Sequence, residues 1–387
     1  MLRLRACVLS HLSSSPPTSP VSHIHRLLSA TAPTLLVSPN PSFAVEDYLV
    51  DTCGLTRAQA VNASQKLSHL KSPSKPDAVL AFLAGLGLSS ADVAAVVARD
   101  PQFLCAKVDK TLAPNVAELT GVGLSRPDIA RLLSLATERF RYRSIVSKLH
   151  YYLPLFRSSE NLFRALKRNN PYLLSCSLDK VVEPNVALLR ECGLSACDIA
   201  KLCLHVPRLL TTNPELVRSM VACAQGLGVP LGSGMFRQAL QAVAFLSKDK
   251  VTAKVDYLKK TFRWSEAEVS IALAKAPMLL RRSKDMLRHR SEFLISEVGL
   301  EPVYIAQRPV IITLSLEGRL RPRHYVLKFL KENGFLDRDW SFSTAVMKTD
   351  EVFVQKYICP HKEVALHLAE DYAAACRGEV PTNFKFT

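Results

Sequence analysis

The chain has 387 residues, of which 48% are hydrophobic, and a formal net charge of +16. This length is too great for one compact core, and the longest uncharged apolar run, residues 78–88, is eleven residues, short of the roughly 18 that a membrane-spanning helix needs. The composition therefore argues against a membrane span, and the surplus of positive charge favours a polyanionic partner.

The first 45 residues differ in kind from the rest. They contain three arginines, nine serines, six prolines and no acidic residue. An apolar, serine-rich segment with arginines and no acids is typical of an organelle transit peptide. We predict that residues 1–45 are an unfolded mitochondrial transit segment, with the chloroplast as the alternative destination. The remaining chain carries 47 basic and 34 acidic residues, a net charge of +13.

A short phrase, a proline followed at two and three residues by bulky apolar side chains, recurs along the chain. It begins at Pro101, Pro171, Pro207, Pro277 and Pro309, and weaker copies have Thr137 and Val243 in the proline position. We call these seven residues the phrase positions. Nine residues before most phrase positions is a marker position, which is usually occupied by an acidic residue. If an early copy at Gln59 is included, the marker positions recur every 33 to 36 residues. A fixed period of this size indicates a helical solenoid.

Each period predicts two helices. Apolar residues at Val93, Val96 and Val97 have helical spacing, and the phrase proline should end that helix because it lacks an N–H donor. A second proline, at Pro114 or Pro184, opens another apolar stripe that ends at a glycine. Neither stripe can be buried within one unit, so neighbouring units must stack.

These residues carry a family resemblance. The pattern Gly-Leu-Ser-x-x-Asp-Ile, followed by x-x-Pro-x-Leu-Leu and then Leu-x-Pro, resembles the repeat of the mTERF (mitochondrial transcription termination factor) family, and residues 299–309 and 319–323 resemble the last repeats of its plant members. The resemblance implies an all-α fold, an α-solenoid of about eight mTERF-type repeats forming a superhelix. We expect the solenoid at 46–334 and a C-terminal helical cap and tail at 335–387.

Basic side chains concentrate in three stretches, which are the candidate nucleic-acid-binding residues. They are Arg139, Arg141, Arg143 and Lys148; Arg281, Arg282, Lys284, Arg288 and Arg290; and Arg319, Arg321 and Arg323.

The first two stretches follow equivalent phrase positions, Thr137 and Pro277. Equivalent positions in a solenoid lie on the same side, so we expect these exposed side chains to line one groove and to contact phosphate oxygens. The alternative is that each stretch is an ordinary solvated helix face. Tyr142 and Tyr151 are candidates for stacking on bases, with burial in the core as the alternative.

The resemblance and the charge together predict an organellar nucleic-acid-binding regulator of gene expression, acting in transcription termination or RNA processing on duplex DNA or structured RNA. Other organellar expression factors are possible partners, and we expect a monomer. The alternative from another class is a protein-interaction scaffold in an organellar RNA-processing or ribosome-assembly complex, since solenoids commonly bind proteins.

Signatures of catalysis and of cofactor binding are missing from the sequence. The ten cysteines include no Cys-x-x-Cys pair, so buried thiols are a better interpretation than a zinc site. The Gly232-Ser233-Gly234 stretch lacks the Lys-Ser/Thr of a phosphate-binding loop. We predict no catalytic residue, no metal and no cofactor.

Overall fold

The computed structural model describes residues 43–169, 172–336, 340–363 and 367–379. Within these ranges the secondary structure is helical and no strand is present, which confirms the expected all-α fold. Nearly all of the predicted transit segment lies outside the described residues. None of the described helices combines the length and the apolar character needed to cross a bilayer.

The N-terminal half of the solenoid consists of paired helices joined by a short turn. A leading helix, α1, precedes the first pair. The helices are α1 Val45–Asp51, α2 Arg57–Leu67, α3 Ser74–Gly85, α4 Ser90–Arg99, α5 Ala113–Gly121, α6 Arg126–Leu135, α7 Thr137–Phe140, α8 Ser144–Phe156, α9 Ser159–Asn169, α10 Tyr172–Ser175 and α11 Glu183–Glu191.

The C-terminal half continues the pairs and ends in three further helices. These helices are α12 Ala196–His205, α13 Pro214–Gln225, α14 Phe236–Val243, α15 Lys248–Phe262, α16 Glu266–Lys275, α17 Lys284–Ser291, α18 Pro302–Gln307, α19 Arg321–Glu332, α20 Phe342–Met347, α21 Asp350–Tyr357 and α22 Leu368–Cys376. From α2 to α19 there are eight two-helix units, in agreement with the number of repeats that the family resemblance implies.

Most units begin at a helix with a side-chain cap, and α14 and α18 are the exceptions. At the start of α4 the Ser89 hydroxyl accepts a hydrogen bond from the Asp92 backbone N–H, and the Asp92 carboxylate accepts one from the Ser89 backbone N–H. The same reciprocal cap joins Ser125 to Asp128 and Ser265 to Glu268. The recurring acidic residue therefore satisfies orphan backbone donors, in addition to its favourable position at the helix dipole.

The phrase forms the turn between the two helices of a unit. Pro101–Cys105, Leu209–Thr211, Pro277–Arg281 and Pro309–Thr313 are 3-10 turns. The two apolar residues of each of the five proline phrases are buried and belong to one continuous hydrophobic core. These pairs are Phe103 and Leu104, Leu173 and Leu174, Leu209 and Leu210, Leu279 and Leu280, and Ile311 and Ile312.

The second proline explains a feature that the sequence analysis did not predict. Before Pro114 the chain forms a π turn, Val108–Leu112, in which the Ala113 N–H bonds to the Val108 carbonyl. The same wide turn precedes Pro184 and Pro322. Proline has no N–H, and its ring clashes with the carbonyl four residues earlier, so a widened turn accommodates it.

One glycine is required by close packing between units. Gly193 has φ +81°, and a Cβ at this residue would lie 2.5 Å from the Cα of Gly232. The Gly232 N–H also donates to the Cys192 carbonyl at 2.9 Å. Any side chain at residue 193 would separate these two segments.

Candidate nucleic-acid interface

Each of the three basic stretches begins in a short helix or turn and runs into the helix that follows it. Residues 139–148 run from α7 into α8, residues 281–290 run from a 3-10 turn through α17, and residues 319–323 run from a π turn into α19. Side chains within one stretch have different partners.

A repeated contact connects the second helix of six units to the turn that follows. Turn carbonyls at the third and fifth residues after a phrase position have no helical partner and need a donor. Asn115 donates to the carbonyls of Phe140 at 2.8 Å and Tyr142 at 3.3 Å. Taking Ser343 as the next phrase position, six side chains make this contact, and no side chain of α13 does so among the described residues. The six are Asn115, Lys148, Asn185, Lys254, Arg290 and Arg323.

Arg323 is fully buried, with an exposed fraction of 0%, as are Asn115 and Asn185 among these capping side chains. Its guanidinium donates to the carbonyls of Val346 at 2.9 Å and Lys348 at 2.6 Å and forms an ion pair with Asp350. It also lies over the ring of Phe353, 4.6 Å from the centroid. Because no part of this side chain reaches solvent, we leave Arg323 out of the proposed interface.

Lys148 and Arg290 make the same type of contact with partial exposure. The Lys148 ammonium donates to the Leu174 carbonyl, and the Arg290 Nε donates to the Leu314 carbonyl at 2.9 Å. Burial lowers the pKa of Lys148, and nearby Arg139 lowers it further. Both side chains stabilise the contact between units, so we do not count them among the phosphate-binding groups.

Arg141 and Arg281 occupy equivalent positions, four residues after Thr137 and Pro277. Each contacts the preceding unit at the residue just before its phrase position. Arg141 pairs with the buried carboxylate of Asp100 at 2.8 Å, and the Arg281 Nε donates to the Ala242 carbonyl at 2.7 Å.

Burial at these two contacts changes the pKa of Asp100 and that of Arg281. Burial raises the pKa of Asp100 despite the opposing effect of Arg141, and burial lowers the pKa of Arg281. Arg281 also donates to the carbonyls of Gln241 and Ala244. The guanidinium thus covers the C-terminal end of α14 with several of its donors occupied, although Arg281 as a residue remains exposed.

Five further arginines have acidic partners or lie partly inside the protein. Arg143 pairs with Glu118 and Arg288 with Glu292, and all four side chains are exposed. Arg319 pairs with Asp350, and Arg321 with Glu297 and Glu317. Arg139 is half-buried at a position where other units have a core residue, and its Nε has no hydrogen-bond partner among the described residues.

Two lysine ammonium groups lie close to the ring of Tyr257 on α15. The Lys284 ammonium lies 5.1 Å from the ring centroid and the Lys254 ammonium 5.6 Å from it. The Tyr257 hydroxyl donates to the Lys284 carbonyl at 2.9 Å, and the Lys254 Nζ donates to the Arg282 carbonyl at 2.5 Å. We call Lys254, Tyr257, Arg282 and Lys284 the Tyr257 cluster.

Like charges crowd together in this cluster. Burial lowers the pKa of Lys254, and Lys284 lowers it further. Burial also lowers the pKa of neighbouring Arg290, with an added effect from Arg282. The exposed side chains of Arg282 and Lys284 form no ion pair or hydrogen bond with the described part of the chain. A phosphate group here would relieve repulsion between cations and would displace no acidic partner.

Lys254 is a member of the cluster that the sequence analysis missed. It lies some thirty residues before Arg282 and Lys284 in the chain, outside every basic stretch. Two signals could have identified it. Lys254 and Tyr257 are three residues apart and so share a helix face, and Lys254 stands 23 residues before Pro277, the same spacing that separates Lys148 from Pro171.

The two candidate stacking residues differ in exposure. Tyr142 is 49% exposed, and Arg141 lies over its ring at 5.6 Å. Tyr151 is half-buried and packs edge-on against Tyr152. Tyr142 is therefore accessible to a base, whereas Tyr151 packs against the core.

Side chains that could bind a metal do not gather in the described ranges: no group of three or more His, Cys, Asp or Glu residues is suitably placed there. The described cysteines are all unpaired. Burial raises the pKa of Cys203 to about 12 and that of Cys53 to about 11, with Asp77 contributing to the latter. These two thiols remain protonated and act as small core residues.

Comparison with known proteins agrees with the repeat architecture. The sequence model of the mTERF family matches residues 48–233 and 235–354. The chain is 22% identical over 298 residues to the mitochondrial transcription termination factor MTEF18 of Arabidopsis thaliana, covering 76% of this chain and 50% of that protein.

Two further relatives match shorter parts of the chain. The chloroplastic transcription termination factor MTERF8 of Arabidopsis thaliana is 23% identical over 269 residues, covering 67% of this chain and 51% of the relative. The mitochondrial transcription termination factor 3 of Drosophila melanogaster is 24% identical over 224 residues, covering 57% and 53%.

This chain spans about half the length of each of these three relatives. Two of them are mitochondrial and one is chloroplastic, in agreement with the expected organellar location. The family model covers most of the chain, and its matched residues are those that form the two-helix units with their proline turns. The chain belongs to the mTERF family.

Proposed function

We propose that this protein is an organellar nucleic-acid-binding regulator of gene expression that contacts phosphate groups through the Tyr257 cluster. The observation that carries the proposal is the uncompensated charge of Arg282 and Lys284 beside Lys254. Arginine and lysine bind phosphate oxygens through charge-assisted hydrogen bonds, and each contact releases condensed counterions. The transcription termination role in the names of the relatives supports the regulatory part of the proposal.

Arg143 and Arg288 extend the proposed surface. Each pairs with one exposed glutamate, and exposed ion pairs of this kind contribute little stability, typically about 0–1 kcal/mol. A phosphate can replace the glutamate partner at small cost. Phosphate contacts are independent of base sequence, so the proposal covers duplex DNA and structured RNA alike.

Salt-dependent binding of the double variant Arg282→Gln/Lys284→Gln tests this proposal. Each lost phosphate contact should reduce the slope of log affinity against log salt by about 0.9 on duplex DNA and about 0.7 on single strands. We therefore expect the double variant to bind every sequence more weakly, with a slope lower by nearly two. Filter binding at four or more salt concentrations would measure the slope.

The matched control is Lys66→Gln/Lys71→Gln, which removes the same charge at two exposed positions far from the cluster in the repeat order. The control should leave the slope close to that of the parent. Equal slopes for the parent and the Arg282→Gln/Lys284→Gln variant, with helix content intact by circular dichroism, would remove the cluster from the binding surface.

A further inference from the structure

The turns of the solenoid have a constant packing partner. Pro101–Cys105 packs on α3, Leu209–Thr211 on α11, Pro277–Arg281 on α15 and Pro309–Thr313 on α17. In each case this partner is the second helix of the preceding unit. The two buried apolar side chains of the turn thus fill the space beside that helix.

One unit lacks its 3-10 helix. At the phrase position Val243 replaces proline and α14 ends there, and a single hydrogen-bonded turn, in which the Leu246 N–H donates to the Val243 carbonyl at 2.9 Å, leads to α15 at Lys248. Phe245, two residues after the phrase position, has φ +57° and is 41% exposed, whereas the equivalent residues Leu209 and Leu279 are fully buried. Of the two apolar side chains of this phrase, Phe245 is therefore turned outward, and Leu246 is half-buried against the core.

A cleft of about 950 Å³ lies beside this turn, and Phe245 and Leu246 line it. Its walls are α13, α15 and the segment between α14 and α15, with Met220 and Leu227 on one side and Val251 and Val255 on the other. Leu216 on α13 lines the cleft and is 46% exposed. In four other units the turn packs on the second helix of the preceding unit, and for this unit that helix is α13.

The charges along the cleft are arranged by sign. Lys248 lies at the start of α15, Asp256 two turns later, and Glu266 at the start of α16, and all three line the cleft. Eight residues of helix separate Lys248 from Asp256, or about 12 Å. Lys248 forms no hydrogen bond or ion pair with the described residues. A bound helix of two turns or more is complementary if it carries an acidic residue near Lys248 and a basic residue near Asp256.

We propose that this cleft is a docking site for an amphipathic helical segment of a partner protein. The segment presents two bulky apolar side chains, such as adjacent leucines, to the face of α13 that bears the exposed Leu216. Its acidic end lies toward Lys248 and its basic end toward Asp256, since Glu266 is already paired with Lys259. The internal repeats supply the chemistry of the occupant, because the same helix face in other units is covered by a helical turn with two buried apolar residues.

Fluorescence anisotropy with a defined peptide tests this proposal on the full chain. The probe is a helix-stapled 14-residue peptide with a central Leu-Leu pair, glutamates at one end and lysines at the other. Two control peptides have serines in place of the leucines or have the end charges exchanged. We expect saturable binding of the probe and binding weaker by about tenfold or more for both controls, a loss of at least about 1.4 kcal/mol.

Two variants of the protein locate the binding. Leu216→Lys and Thr252→Lys each place a charge on an exposed wall of the cleft, and both should abolish binding of the probe while circular dichroism and nucleic-acid affinity are retained. Absence of probe binding, or binding unchanged in both variants, overturns the proposal. Self-association of the parent that Leu216→Lys removes, measured by sedimentation velocity, would overturn it in favour of a second copy of the chain as the occupant.

Discussion

Two arginine-rich stretches that resemble each other in sequence have opposite structural roles. Residues 281–290 and 319–323 both follow a phrase turn and both contain several arginines. In the first, Arg282 and Lys284 remain exposed beside Lys254 and Tyr257. In the second, Arg319 and Arg321 form ion pairs with acids, and Arg323 is completely buried. Density of positive charge along the chain therefore does not by itself identify the nucleic-acid-binding surface.

The difference follows from position within the repeating unit. Arg323 stands directly after Pro322, as Asn115 stands after Pro114 and Asn185 after Pro184, and all three side chains are buried and donate to turn carbonyls. Arg282 stands five residues after its phrase proline, where its carbonyl accepts a bond and its side chain projects outward. A basic residue directly after the second proline of a unit stabilises the fold. A basic residue five positions after the phrase proline is available to a ligand.

Replacing Arg323 should give the largest loss of stability. Arg323→Ala removes a buried cation and leaves the carbonyls of Val346 and Lys348 without a donor, which should lower the free energy of unfolding by about 3–5 kcal/mol. Urea denaturation would measure this change. Arg282→Ala is the matched control and should change the free energy of unfolding by less than about 0.5 kcal/mol. Similar losses for the two variants would contradict the difference in role.

Replacing an apolar phrase residue should cost nearly as much. Leu279 has an exposed fraction of 0%, so Leu279→Ala should lower the free energy of unfolding by about 2–5 kcal/mol, and the loss should extend to neighbouring units. Val310→Ala, at a phrase residue that is 41% exposed, should have a much smaller effect. Thermal melting and hydrogen exchange of the two variants would compare them, and an unchanged melting temperature for Leu279→Ala would contradict the packing.

A smaller effect on the free energy of unfolding should depend on pH and should arise from His324, directly after the 319–323 stretch. Burial lowers the pKa of His324 from the ordinary value of 6.5 to about 4, with Lys328 and Arg321 contributing. Between these values the unfolded chain binds a proton that the folded chain does not, so stability should be full above pH 6.5 and should fall as the pH decreases toward 4. The loss should reach roughly 2 to 3 kcal/mol. His324→Gln should remove this part of the pH dependence in urea denaturation, and an unaltered pH profile would show that another group is responsible.

The repeat architecture was predictable because it depends on local rules. The phrase proline, the apolar pair after it and the acidic marker nine residues earlier are visible in one sequence, and each has a backbone consequence. The sequence analysis did not predict the π turns before Pro114, Pro184 and Pro322. A wide turn is needed only where a helix continues through a proline, and that continuation is seen only in the structure. The turn after Val243 is visible in the sequence only as a weak copy of the phrase, and the structure has a cleft beside it.

The candidate interface was less predictable because it depends on contacts between units. Arg141 and Arg281 were expected at equivalent positions, and they are equivalent, but their partners Asp100 and Ala242 lie about forty residues earlier in the chain. Lys254 joins Arg282 and Lys284 only after two units stack. Which cations remain available is decided by these long-range contacts, and the charge pattern of a single stretch does not contain that information.

Photo-crosslinking of the full chain to a duplex DNA and to a structured RNA, followed by mass spectrometry of the crosslinked peptides, tests the central claim most directly. The account predicts crosslinks on peptides that contain Lys254, Tyr257, Arg282 or Lys284, for at least one of the two nucleic acids. It predicts none on Arg323, whose side chain is buried. Crosslinks concentrated at residues 319–323, with none in the Tyr257 cluster, would contradict the division of roles between the two arginine-rich stretches.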